Sequence, residues 1–360
     1  MFSERSESMY ILLAILIFGI LIGIHEFGHF IAAKACGVRV NEFAIGMGPA
    51  LLKRQKGETL YALRLLPIGG FCAMEGEDER SDDPRAFTSK PWWQRAVILI
   101  AGAFMNFLLG FLIIALLYSS AQAFYGRTVS ALTEDFRYGG EEGLMVGDEI
   151  LSIDGHTIFY SNDFSTYMSR SSGGTVDMVI RRGGEKLLLD DYPLQMEDYV
   201  VDGETVHRYG VTFNTVPATF WNRLQYACCT AADYVRYVWM GLSDLVTGVV
   251  GIKDMSGPVG IVSAIGQVGQ ASASTAEALK NILFLASFIA VNLAVMNLLP
   301  IPALDGGRVF FLLITGVLEK ILRRKIDPKY EGYIHAAGLM LLLGLMAVVM
   351  VNDIARIVNG

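Results

Sequence analysis

The chain has 360 residues, 53% of them apolar, and a formal net charge of −7, with a mean hydropathy of +0.43. That apolar content is high for a soluble protein and makes a membrane class the leading expectation, while the acidic balance lacks the basic field that a nucleic-acid partner needs. The cysteines at 36, 72, 228 and 229 include no C-x-x-C pair, so neither a disulfide framework nor a cysteine zinc site is expected.

The first apolar run, about Tyr10 to Ala33, follows directly on Arg5. It is too long for a cleavable signal peptide and carries ionisable groups, so it reads as a retained span. Within it, His25-Glu26-Phe27-Gly28-His29 spells H-E-x-x-H. Residues i and i+4 of a helix share a face, so both imidazoles can reach one Zn²⁺. Glu26 is turned aside from that face and can accept a proton from the attacking water, the general-base role assigned to this motif in metalloproteases. Ionisable groups at membrane depth persist where they pair, ligate or line a wet cavity, so three of them in one turn point to function.

From Val38 to Phe71 the chain alternates apolar residues around a Lys56-Gly57 turn and carries Gly46, Gly48, Gly69 and Gly70. That is a hairpin pattern. Its apolar content between two spans points to an element dipping into the membrane against the helices; a small cytoplasmic β-sheet accounts for the same features. Trp92 and Trp93 then mark an interfacial boundary before the second apolar run, about Ala96 to Ser120.

The segment from about Phe124 to Pro217 is polar, with turn signals at Asp154-Gly155, Gly183-Gly184 and Asp202-Gly203. It reads as a folded extramembrane domain. The run Gly143-Leu144-Met145-Val146-Gly147-Asp148-Glu149-Ile150-Leu151-Ser152-Ile153-Asp154-Gly155 is similar to the PDZ signature of a glycine turn entering a strand. A helix from about Asn162 to Arg170 and strands Thr175 to Arg181 and Glu185 to Leu189 follow in PDZ order. Tyr209-Gly210-Val211 resembles the loop that holds a peptide's C-terminal carboxylate, placed late as in circularly permuted bacterial PDZ domains. Such a domain adds an extended peptide as a strand; any small α+β domain with an Asp-Gly turn shares the shorter signals.

Trp221 to Val250 mixes Arg223, Asp233, Arg236 and Asp244 with aromatics at helical spacing, the pattern of an amphipathic helix at a membrane surface. A third apolar run, about Ile282 to Leu299, ends in Asn297-Leu298-Leu299-Pro300-Ile301-Pro302-Ala303-Leu304-Asp305-Gly306-Gly307. Catalytic zinc usually takes three protein ligands and keeps one open position. Asp305 is the candidate third ligand, and an N-cap for the helix that follows is an equally good reading of it. A fourth run covers about Ile334 to Val351. Lys34, Arg39, Lys53, Arg54, Lys56, Arg64, Arg80, Arg85, Lys90 and Arg95 follow the first span, and Lys320, Arg323, Arg324, Lys325 and Lys329 follow the third. Both loops are therefore expected in the cytoplasm, with the termini and the long polar segment outside.

Taken together, the H-E-x-x-H span, the N-x-x-P-x-P-x-L-D-G-G stretch, the intervening PDZ-like segment and Ser256-Gly257-Pro258-Val259-Gly260-Ile261 resemble the site-2 family of intramembrane zinc metalloproteases, in the bacterial RseP type with a single PDZ domain. The resemblance implies Asp305 as third zinc ligand and places Asn292 and Asn297 beside the active site, where their amides can hold an unwound substrate. It also implies a membrane re-entrant β-element with Gly46 and Gly48 close to substrate. An asparagine in a span can equally bond only to a neighbouring helix. One departure is Ala103, where many relatives have proline in a G-P-x-x-N stretch; Asn106 is retained.

The expected fold is thus a polytopic α-helical membrane protein with about four transmembrane helices, a re-entrant β-element and an inserted extramembrane PDZ (α+β) domain. The expected segments are the first transmembrane helix at 1–36, the cytoplasmic-side β-element and loop at 37–95 and the second helix at 96–123. The PDZ domain follows at 124–217, the amphipathic helix at 218–256 and the last two transmembrane helices at 257–360. The expected function is zinc-dependent cleavage within or beside the transmembrane segment of single-span membrane proteins, of the anti-sigma-factor or signal-peptide-remnant type. The expected location is a bacterial inner membrane with the PDZ domain on the extracytoplasmic side. An intramembrane metal transporter is the main rival, since it too uses histidine and glutamate in a span.

Overall fold

The computed structural model describes residues 2–77, 81–171, 174–201, 204–322 and 328–359. Arg80, Arg323, Arg324, Lys325 and the Asp202-Gly203 turn lie outside the described residues. The chain forms two compact units, Met1–Leu117 with Thr230–Gly360, and Tyr118–Cys229.

The first unit opens with α1 (Phe2–Ala35). This helix ends where Gly37 turns left-handed (φ 69°) and the Val38 N–H reaches back to the Ala33 carbonyl at 2.9 Å, a stop that closes the free carbonyls of the last turn. The chain then runs into β1 (Val40–Lys56) and β2 (Thr59–Met74). Their register is double: Phe43 pairs with both Cys72 and Tyr61, and Ala44 with both Phe71 and Ala62. Each long strand therefore bends on itself, and Gly46 and Gly48 take left-handed φ values of 87° and 84° at one bend. Glu58, where the strands meet, accepts from Lys34 at 2.7 Å and Arg85 at 2.6 Å. These hydrogen bonds hold its carboxyl below the ordinary glutamate range and tie the end of α1 to the sheet.

After α2 (Trp92–Ser119) comes the second unit. Its strands are β3 (Ala123–Leu132), β4 (Glu149–Ile153), β5 (His156–Thr157), β6 (Val176–Arg182), β7 (Glu185–Tyr192), β8 (Glu197–Val201), β9 (Glu204–Arg208) and β10 (Val211–Pro217), with α3 (Ser161–Arg170) after β5. The main sheet runs β10-β3-β4-β6-β7, with β5 paired to β4, and β8 and β9 form a separate hairpin. Thus β10 lies at the sheet edge. Beside it, Phe164 of α3 packs edge-on against Tyr209 at 5.5 Å and Phe213 at 5.1 Å. The helix and the strands after it fall within a few residues of their expected bounds, and the β8–β9 hairpin flanks the expected Asp202-Gly203 turn signal. The turn residues 139–148 are clamped by Arg182, which donates to both oxygens of the buried Asp148 at 2.8 and 2.7 Å.

The chain returns to the first unit through α4 (Phe220–Thr247), which buries Tyr226, Ala227, Ala231, Asp233 and Val238. It continues with α5 (Pro258–Ala271), α6 (Thr275–Asn297), α7 (Asp305–Leu322) and α8 (Pro328–Asn359). Four segments, Met9–Ala35, Trp92–Ser119, Thr275–Asn297 and Gly332–Arg356, are long and apolar enough to cross a membrane, the make-up of a multi-pass membrane protein. α1 is common to three buried clusters: Ala33 packs with Val40, Cys72, Phe87 and Ile98, Ala14 with Ile265 and Ile282, and Leu21 with Ile289 and Ala290. A helix held by packing at several points along its length is a rigid carrier for any group it bears.

Asp353 of α8 is buried, and its Oδ2 accepts the amides of Gly257 at 2.9 Å and Gly260 at 2.8 Å. A carboxylate thus closes the N-terminus of α5 from 96 or 93 residues away in sequence, which suits the positive end of a helix dipole. Asp353→Ala leaves two amides without an acceptor in a dry interior and is expected to cost about 2–4 kcal/mol. Thermal unfolding of the detergent-solubilised protein measures this; an unchanged Tm means that these amides find another acceptor.

Candidate metal centre

The helical repeat brings His25 and His29 to one face of α1, with ring centroids 4.8 Å apart and planes at 85°. Their Nε2 atoms are 3.2 Å apart. From the far end of the chain, Asp305 at the first turn of α7 places Oδ2 3.1 Å from His25 Nε2 and 3.3 Å from His29 Nε2. These are the three residues that the sequence marks as ligands, and among the described residues they form the one cluster of His, Cys, Asp and Glu able to hold a metal ion. Asp305 therefore stands both at a helix start and against the imidazoles.

The donor atoms fit zinc. The His29 Nδ1–H donates to the Ile98 carbonyl at 2.8 Å, since a carbonyl can only accept, so in the neutral ring it is Nε2 that offers a lone pair to the cluster. Asp305 Oδ2 is buried and has no hydrogen-bond partner despite its two close nitrogens. Three potential ligand atoms thus converge, an arrangement that a cation suits. Their spacings of 3.1, 3.2 and 3.3 Å match the roughly 3.3 Å edge of a tetrahedron with bonds of about 2.0–2.1 Å.

Glu26 leaves this cluster and turns toward the sheet. The Cys72 backbone N–H hydrogen-bonds its carboxylate, and a Cβ on Gly70 would lie 3.2 Å from its Cγ. Strand β2 therefore presses on the glutamate and leaves no space there for a side chain. Beside it, Ile45 of β1 packs 3.8 Å from the Cβ position of Gly23, one half-turn before the histidines. The sheet is held by Arg64, which donates to the Gly48 carbonyl at 2.7 Å and to Glu42 at 2.5 Å. Gly46 and Gly48 occupy its bend.

The loop that delivers Asp305 contains Ala303 in the left-handed region (φ 79°), and the Ala303 N–H donates to His335 Nδ1 of α8 at 3.0 Å. Arg308, one turn after Asp305, pairs with Glu77 beyond the end of β2. Asn292 and Asn297 are half-buried on α6, Asn297 being its last residue. Tyr209, Gly210 and Val211 belong to the second unit, where the Gly210 carbonyl accepts from the Thr133 amide at 2.9 Å. The sequence reading gave no role to Gly102, which lies against the two histidines, or to the backbone of Gly70 and Cys72, which lies against Glu26. Their visible signal was a glycine one turn before Asn106 and a Gly-Gly pair in a strand, neither of which names a partner.

The model of peptidase family M50 matches residues 13–345. The chain belongs to peptidase family M50. Zinc metalloprotease RasP of Bacillus licheniformis is 30% identical, with 95% of this chain and 98% of that protein covered. Regulator of sigma-W protease RasP of Bacillus subtilis is 29% identical, with 95% and 97% covered. A Clostridium perfringens protein assigned as a zinc metalloprotease is 38% identical, with 96% and 98% covered. This M50 protein is a zinc metalloprotease, and the intramembrane setting of its H-E-x-x-H helix fits cleavage of membrane-protein substrates.

Proposed function

We propose that His25, His29 and Asp305 hold the zinc of this protease, that Glu26 is its general base, and that it cuts peptide bonds in or next to the transmembrane segment of single-span membrane proteins. The observation that carries the reading is the meeting of the three ligand atoms on a helix apolar enough to span. Bound zinc supplies Lewis-acid polarisation of the scissile carbonyl and a lowered pKa for water. Glu26, fixed by the Cys72 amide, takes the water proton and passes it to the leaving amine.

A helical substrate must unwind before its backbone can be reached, and an extended backbone needs partners. The β1–β2 sheet supports such a role. It exposes Ile45, Met47, Leu51, Leu52, Leu63, Leu65 and Leu66, apolar contacts suited to lipid, and its Gly46–Gly48 bend and Asn292 and Asn297 are the groups we assign to holding the unwound segment. The basic residues around the sheet support a cytoplasmic-side position for it in a bacterial inner membrane, and we assign the second unit to the extracytoplasmic side. We read that unit as a PDZ domain. The edge position of β10 and the packing of α3 along it support addition of an extended peptide there. Regulators of the anti-sigma-factor type are the substrate class to test first, because one relative is named for regulating sigma-W; signal-peptide remnants are the second.

Two measurements test the reading. A transmembrane reporter incubated with the purified protein in detergent is expected to give products whose ends map, by mass spectrometry, within or beside its apolar segment; cuts confined to soluble tails overturn it. Asp305→Asn keeps the capping oxygen and removes the charge, so zinc content is expected to fall about 10–100-fold at limiting metal. Full zinc occupancy with full activity in that variant reduces Asp305 to a helix cap.

A further inference from the structure

We propose that Asn106 is a positioning residue for the metal centre, accepting the Nδ1–H of His25 and so fixing which nitrogen of that ring faces the zinc. The inference rests on the reading of His25 as a zinc ligand. Asn106 is fully buried in α2, and its amide lies 3.4 Å from His25 Nδ1. His25 directs Nε2 to the cluster, 3.1 Å from Asp305. A ligating Nε2 carries a lone pair, which leaves the ring proton on Nδ1. With the Asn106 nitrogen turned to that atom, two donors face each other, and Oδ1 is left buried without a partner. A half-turn about the last bond of Asn106 exchanges oxygen and nitrogen. It removes both faults at once: Nδ1–H donates to Oδ1, and the orphan oxygen is satisfied.

The other histidine is held in the same way, by the Ile98 carbonyl at 2.8 Å. Ile98, Gly102 and Asn106 recur every four residues, so they form one stripe of α2. Ile98 and Asn106 supply acceptors for the two rings. Gly102, between them, leaves the space the rings occupy, since a Cβ there would lie 2.4 Å from His29 Nε2 and 2.8 Å from His25 Cε1. One helix face thus sets the tautomer and tilt of both ligands from behind. Of its two acceptors, Asn106 is the one a side-chain change can remove.

The experiment measures zinc affinity of the full chain in detergent, by competition with a chromophoric chelator, together with the unfolding temperature of the zinc-free protein. Asn106→Leu, of similar volume but with no acceptor, is expected to weaken zinc binding about 10–100-fold. Asn106→Asp presents the same oxygen with a charge and is expected to bind zinc at least as tightly as the parent. A general packing role would not restore affinity in the aspartate variant. Parent-like affinity in Asn106→Leu, or an aspartate variant as weak as the leucine one, overturns the proposal. Should the leucine variant fail to fold, the aspartate variant still decides: affinity equal to or above the parent supports the proposal, and a tenfold loss overturns it. His25→Ala runs alongside. If it keeps parental zinc affinity, the ligand assignment itself fails; if it loses zinc while Asn106→Leu does not, only the role of Asn106 fails.

Discussion

Replacing Glu26 by glutamine is expected to lower cleavage of a transmembrane reporter by about 10²–10⁴-fold while the purified protein keeps its zinc. Glutamine has the same length and shape, and its amide oxygen can still accept the Cys72 N–H that holds the native side chain. What it lacks is the ability to take and return a proton. The two readouts separate general-base loss from collapse of the site, because His25, His29 and Asp305 do not depend on Glu26 for their convergence. Unchanged cleavage would remove Glu26 from the mechanism. Loss of zinc along with cleavage would make it part of the metal cluster instead.

Gly102→Ala is expected to abolish zinc retention, by about 100-fold or more in affinity, with a far smaller effect on the fold. Its Cβ would lie 2.4 Å from His29 Nε2, 2.7 Å from His29 Cε1 and 2.8 Å from His25 Cε1. All three are below any ordinary carbon contact, so both rings must turn away. The backbone cannot give instead. On the facing helix, a Cβ on Gly28 would lie 2.3 Å from the Ala101 carbonyl oxygen, so α1 and α2 already touch through two glycines, the close approach that small residues allow between membrane helices. Metal analysis after purification reads the effect. Parental zinc content in Gly102→Ala would mean that the helices separate without disturbing the ligands.

The sequence by itself determined what is local. The i, i+4 repeat put His25 and His29 on one face, composition marked four helices of spanning length, and the Asp-Gly and Gly-Gly turns of the second unit announced strands that do form around Gly155 and Gly183. Apolar periodicity and turn chemistry act over a few residues, so they can be read without knowing the partner. Tertiary structure decided what faces these elements. Residue chemistry alone left Asp305 open between ligand and helix cap, the family resemblance favoured the ligand, and only the packing of the chain brings its Oδ2 within 3.3 Å of both imidazoles. It gave no sign that the double register of β1 and β2 would bring Gly70 and Cys72 against Glu26, that Ile98 and Asn106 would stand behind the two histidines, or that Asp353 would cap α5. Each of these contacts joins residues dozens to hundreds of positions apart, where the hydrogen-bonding needs of one segment are met by atoms of another. The motif names the zinc chemistry; the helices and strands packed around α1 determine how its side chains are held.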